Sequence, residues 1–449
     1  MIAKLLQKNK SSIDKKILVI IAVILIIIDL LLLLLIKFGK FESSDIDITE
    51  YLQKKFLNKT YNNKATIPPF IKIVHILNDT YFPYLIILII FNFYTVYDCF
   101  ILVNVLSLDY IISFCFNLIY FKSPYTYLDK FKNNNKIDVL YCGFGWGFPS
   151  EECILMVSFY LALWKIVTNK SSFFNQTQKI SKYILLLSII SLIIIYCFGI
   201  LLMGYYYLSH IVFSALTGLI IYFIVFEFSL IDLLNSNKFI LFIKNKCLDY
   251  IIRHLIIFVI LSLCYIIATF FDDKEEYQYE VCNGMKNKTI FGKSGKFYSY
   301  LNGSFTYVIL FLSNIFSILG IIIDIKILYK GNISNFSQFN FPQEIEELIN
   351  NASMGSFSDS INITKETLWN KTSLFISFLR LIIVIIFFVI CFIPYFIVKL
   401  TDSHICLILF IKFFLPSSLL FLGIFFYFKP ILRLMRLTNF TLESILDDR

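Results

Sequence analysis

One stretch of this 449-residue chain, Cys142 to Glu152, alternates Gly143, Gly145 and Gly147 before Pro149, Ser150 and the pair Glu151–Glu152, and an apolar run opens at Cys153. A glycine-rich turn that leads into a helix can bring backbone N–H groups to an anion, so Gly145, Gly147 and Ser150 are candidate phosphate-binding positions. The bland reading is equally concrete. Ser150 caps the helix, the two glutamates favour its positive end, and the glycines keep a tight turn. A second stretch, Tyr205 to Gly218, places His210 at the start of another apolar run. An imidazole there marks the second place where chemistry would sit, or else is a histidine at a membrane interface held by the fold. The sequence shows no metal-ligand spacing and no cofactor fingerprint.

The elements that must position these groups are apolar. Hydrophobic residues make up 58% of the chain, charged residues 16%, and the mean hydropathy is +0.76. Such a composition excludes a soluble globular domain and nucleic-acid binding, and indicates a polytopic membrane protein whose first partner is the lipid bilayer. The ten cysteines lie mostly inside apolar runs, against a disulfide scaffold.

The expected fold is all-α, a transmembrane bundle of about ten spans. Ile17–Ile36, behind a basic N-terminus, reads as a signal anchor. Further spans are expected at 82–97, 99–121, 151–168, 182–203, 206–226, 251–271, 306–328, 373–398 and 405–428, with Lys37–Thr80 a polar loop between the first two. The chain divides into residues 1–80 (basic terminus, anchor and loop), a membrane domain over 81–430, and a tail over 431–449. Lys238, Lys244, Lys246, Lys429, Arg433 and Arg436 fall on the side of the N-terminus, which the positive-inside rule makes cytosolic. Both chemical stretches then face the lumen, as do the glycosylation sequons at Asn58, Asn78, Asn287 and Asn302. Asp109 and Lys412, charged groups inside spans, are expected to make interhelical contacts.

With these residues in view, the chain resembles the glucose-6-phosphatase family, within the phosphatidic acid phosphatase type 2 superfamily. The resemblance covers roughly residues 75 to 430, a nine-helix membrane enzyme with the N-terminal anchor added. Asp109, Pro124-Tyr125, Cys142, Gly145, Gly147, Pro149, Ser150, Tyr206, His210, Gly218, Cys282 and Lys412 to Pro416 fall in register with it. The resemblance implies an endoplasmic reticulum protein with a lumenal site. It also implies His210 as the nucleophile, position 152 as the acid, and a phosphorylated small molecule or lipid as ligand. Cys142 and Cys282 would be able to pair in an oxidising lumen.

The remaining catalytic positions depart from the family pattern. The motif Lys falls on Phe116, the first Arg on Ser123, the acid His on Glu152, and the third-motif Ser and Arg on Met203 and Gly204. The Asp that orients the His falls on Ser214. Phosphoryl transfer rests on cations matched to transition-state charge, and each donor lost typically costs about 10²–10³ in rate. Glu151 and Glu152 add repulsion of several kcal/mol per unit pair at about 5 Å and an effective dielectric near 20. The expectation is therefore a glucose-6-phosphatase-like pseudoenzyme, an impaired hydrolase with a binding or regulatory role. The alternative is an active phosphohydrolase that releases phosphate from glucose 6-phosphate or a lipid phosphate through a phosphohistidine at His210, with Glu152 as acid. A transporter would need inverted repeats of broken helices, which are not evident.

Overall fold

The computed structural model describes residues 2–56, 82–93, 96–119, 148–170, 179–202, 206–225, 236–270, 300–328, 374–397 and 409–424. They form α1 (Ile2–Lys37), α2 (Glu42–Phe56), α3 (Phe82–Phe93), α4 (Val96–Ile119), α5 (Glu151–Lys170), α6 (Lys179–Leu202), α7 (Leu208–Phe223) and α8 (Ser236–Phe270). These are followed by α9 (Tyr300–Ser313), α10 (Ile315–Leu328), α11 (Leu374–Ile397) and a π-helical turn (Phe410–Phe414) that runs into α12 (Leu415–Leu422). No strand occurs among the described residues. The protein is a polytopic helical bundle, the solution that lets apolar chain satisfy its backbone within lipid.

Among the described residues, four helical stretches are long and apolar enough to cross a bilayer: Ile20–Lys37, Cys99–Leu118, Ser181–Leu202 and Leu248–Ala268. Shorter apolar stretches are Leu208–Phe223, Phe305–Gly320, Phe378–Pro394 and Phe410–Leu422. The helices sort into two layers. Helices α4, α5 and α7 form the interior and carry Phe100, Leu102, Val105, Ile154, Met156, Phe159, Phe213 and Ile221 fully buried or nearly so. Helices α1, α6, α8 and α11 surround them and turn Leu31, Leu187, Ile194, Ile256, Ile267, Ile386 and Val389 outward. An outer face of this kind matches hydrocarbon rather than water.

Buried polar contacts tie the interior helices together. Ser158 on α5 donates its hydroxyl hydrogen to the Asp109 carboxylate on α4, with oxygens at 2.8 and 2.7 Å. Asn314, between α9 and α10, donates its amide to Ser107. Helix α1 meets the bundle along Ala22, Asp29 and Ile36, one residue every seven. There Thr217 on α7 donates to Asp29 at 3.0 Å.

Two expectations need correction. Residues 42–56, read as part of a polar loop, form α2. Its buried stripe is polar, Asp45, Thr49 and Gln53, so hydropathy does not reveal it. The expected span at 306–328 is interrupted at Asn314, where α9 gives way to α10. The sequon at Asn302 lies in the first turn of α9 rather than in a loop. Those at Asn58, Asn78 and Asn287 lie outside the described residues, as do Cys142, Gly145, Gly147, Ser123, Met203, Gly204 and Cys282.

Candidate functional site

The candidate site lies where the start of α5 meets the start of α7. Ser150 precedes α5, and its Oγ accepts the Cys153 N–H at 3.3 Å, an N-cap that fills one of the helix's open donors. The Ser150 N–H donates to Ser214 Oγ at 2.8 Å, and the Ser214 hydroxyl donates to the His210 carbonyl at 2.8 Å. Ser214 thus ties the Ser150 turn to α7 through backbone groups. Gly218 lets the helices approach one turn further on. A Cβ there would stand 2.6 Å from the Ile154 carbonyl oxygen and 2.9 Å from Val157 Cβ.

His210 is 3% exposed. Its ring meets the edge of Phe148 at 4.9 Å and of Tyr207 at 5.4 Å, centroid to centroid. Phe148 also packs on Phe213 at 4.9 Å, and these two phenylalanines form a small core with Ile36, Leu32, Leu33 and Phe41. The turn between α1 and α2 therefore covers the aromatic wall beside His210. Phe116 on α4 joins the same core and meets Phe213 edge-on at 5.1 Å.

The glutamates are held by phenols. Glu151 is buried, and it accepts from Tyr307 on α9 at 2.9 Å and from Tyr206 at 3.2 Å. Glu152 is half-buried and accepts from Tyr196 on α6 at 3.2 Å. Tyr307 stacks on Tyr110 at 5.8 Å, and the Tyr110 hydroxyl donates to that of Tyr84 at 3.1 Å. A line of tyrosines therefore runs from Glu151 through the interior. The ion pairs between described residues, Lys54–Glu50 and Arg253–Asp249, each stay within one helix and away from this cluster. No group of His, Cys, Asp and Glu suited to a metal occurs among the described residues.

Helix α2 completes the surroundings. The N-cap position of α7, Tyr207, makes no side-chain cap. Asp45 supplies one from outside: it accepts the Ser209 N–H at 3.2 Å and the Ser209 hydroxyl on its second oxygen. Eight residues on, the Gln53 side chain donates at 2.9 Å to the carbonyl of Leu202, the last residue of α6. Both open helix ends beside the 203–207 connection are satisfied by one splint.

Burial pushes the Asp45 carboxyl above its usual range, and the Ser209 bonds only partly oppose this. The folded state thus holds the Asp45 proton more tightly than the unfolded chain. The stability gained from protonation is complete below the unfolded value of 3.8 and is lost as pH rises through the higher folded value. Thermal unfolding of Asp45→Asn and wild-type protein across pH 4 to 7 checks this. The difference between the two curves is expected to move against wild type as pH rises.

Sequence reasoning found Ser150, Glu152, Tyr206 and His210, which the structure gathers around the paired starts of α5 and α7. It missed Tyr196, Tyr307, Asp45 and Gln53. The only signal for the last two was the four-residue spacing of Asp45, Thr49 and Gln53, which marks one helix face.

A protein-family model, the PAP2 superfamily, matches residues 99–231, the segment that contains α4 to α7 and every site residue just described except Ile36, Leu32, Leu33, Phe41, Asp45, Gln53, Tyr84 and Tyr307. No curated protein and no solved structure matches the chain.

Proposed function

We propose that this is a glucose-6-phosphatase-like membrane protein of the PAP2 phosphatase type that does not turn over a phosphorylated small molecule or lipid. It acts as a binding or regulatory protein of the endoplasmic reticulum membrane, with the Ser150 and His210 stretches lumenal. The observation that carries this reading is the fixing of Glu151 by two tyrosines and of Glu152 by a third. Carboxyl groups locked at the start of α5 supply no positive charge where phosphoryl transfer needs cations. Phe116 in the aromatic wall supports the same reading, since the lysine position contributes no charge. His210 is packed between Phe148 and Tyr207, and the clamp positions of the resemblance carry Phe116, Ser123 and Gly204 in this sequence.

The test is phosphate release by purified protein in liposomes, with glucose 6-phosphate and phosphatidic acid as substrates and His210→Ala as control. Wild type is expected to release no more phosphate than the variant. Release by wild type that His210→Ala abolishes would overturn the binding reading in favour of a phosphohistidine mechanism with Glu152 as the acid.

A further inference from the structure

We propose that Arg380 on α11 binds a phosphate oxyanion, supplied by the headgroup of an anionic phospholipid. This site is separate from the one at His210 and does not depend on how that site functions.

Arg380 is 1% exposed, the largest fully buried side chain among the described residues. Its Nε and Nη2 have no hydrogen-bond partner among the described residues. These two nitrogens form the side-on edge of the guanidinium, whose parallel N–H bonds match two oxygens of one phosphate or carboxylate. What stands empty is therefore a matched pair of donors rather than a single stray one. A guanidinium does not shed its charge, so burial without a counter-ion is costly.

The placement of Arg380 points to the ligand. Val384, Cys391 and Phe392 share its buried face of α11, while Phe378, Ile382, Ile385, Ile386, Val389 and Ile390 face outward. The side chain thus belongs to the face that packs on α3 and α12, not to the lipid face. Arg380 lies six residues after the first residue of α11, about 9 Å along the axis at 1.5 Å per residue. A long arginine side chain this near a helix end reaches toward the membrane interface, where headgroup phosphate is the abundant oxyanion.

The test uses the full-length protein in neutral detergent and follows its apparent unfolding temperature. The probes are phosphatidylglycerol, inorganic phosphate and, as the uncharged control, diacylglycerol. Wild type is expected to be stabilised by phosphatidylglycerol at concentrations where diacylglycerol has no effect. Arg380→Lys keeps the charge and loses the two-donor edge, and is expected to bind the lipid about tenfold more weakly, the loss of one charged hydrogen bond. Stabilisation by inorganic phosphate as well as lipid supports the oxyanion site and makes it open to soluble anions. Equal response of wild type and Arg380→Lys would overturn the proposal, as would wild type that responds to none of the probes. The second outcome is read on wild type alone, so it stands even if the variant fails to fold.

Discussion

Gly218→Val is expected to abolish the folded, monodisperse protein, and Gly218→Ala to lower its stability by about 1–3 kcal/mol, the usual cost of forcing an extra methyl group into a packed interior. The added Cβ would stand 2.6 Å from the Ile154 carbonyl oxygen, and helical backbone cannot step aside as a side chain can. Relief requires α5 and α7 to separate. That separation would stretch the 2.8 Å bond from Ser150 to Ser214, so the local clash spreads to the site. Valine adds two methyl groups to the same space. Size-exclusion profiles and thermal unfolding in detergent read the result. A valine variant with wild-type behaviour would show that the two helices do not meet at this level.

Glu151→Ala is the second large effect, with an expected loss of about 2–5 kcal/mol. The change leaves the hydroxyls of Tyr206 and Tyr307 without their acceptor, and each orphaned buried polar group costs about 1–3 kcal/mol. Tyr206 is 1% exposed, so water does not readily replace the carboxylate. Glu151→Gln is expected to cost much less, because its oxygen still accepts one phenol and its amide donates to the other after that hydroxyl rotates. Chemical denaturation of the two variants, beside Tyr206→Phe and Tyr307→Phe, separates the contributions. Should alanine and glutamine at this position behave alike, the tyrosine pair would not be what holds the carboxylate.

The order of the apolar helices was legible because lipid selects long hydrophobic runs, and nothing in the fold overrides that selection at α1, α4, α6 or α8. Ser150 and Gly218, singled out in the sequence, lie at the contact of α5 with α7, but their register was not readable from it. The tyrosine contacts were not. Tyr307 meets Glu151 across 156 positions of sequence, and 28 tyrosines in the chain leave no way to single it out. Helix α2 escaped for a different reason. Periodicity is sought in apolar residues, whereas this helix buries Asp45, Thr49 and Gln53 and exposes Ile48 and Tyr51. Its polar face is inward because it meets helix ends, whose open N–H and C=O groups need polar partners. The single break at Asn314 was hidden inside a run that reads as one span.

The pairing of Asp29 with Thr217 also has a history within each molecule's lifetime. The two residues are 188 positions apart, and α1 leaves the ribosome long before α7 exists. At about 5–20 residues per second, translation leaves a gap of roughly 10–40 s. Throughout it a carboxyl group sits mid-helix in an apolar segment with its eventual hydroxyl donor not yet made. The same delay applies to α2, whose Asp45 must wait for Ser209. The emergence of α7 is the event that supplies the partner of Asp29 and of Asp45 alike.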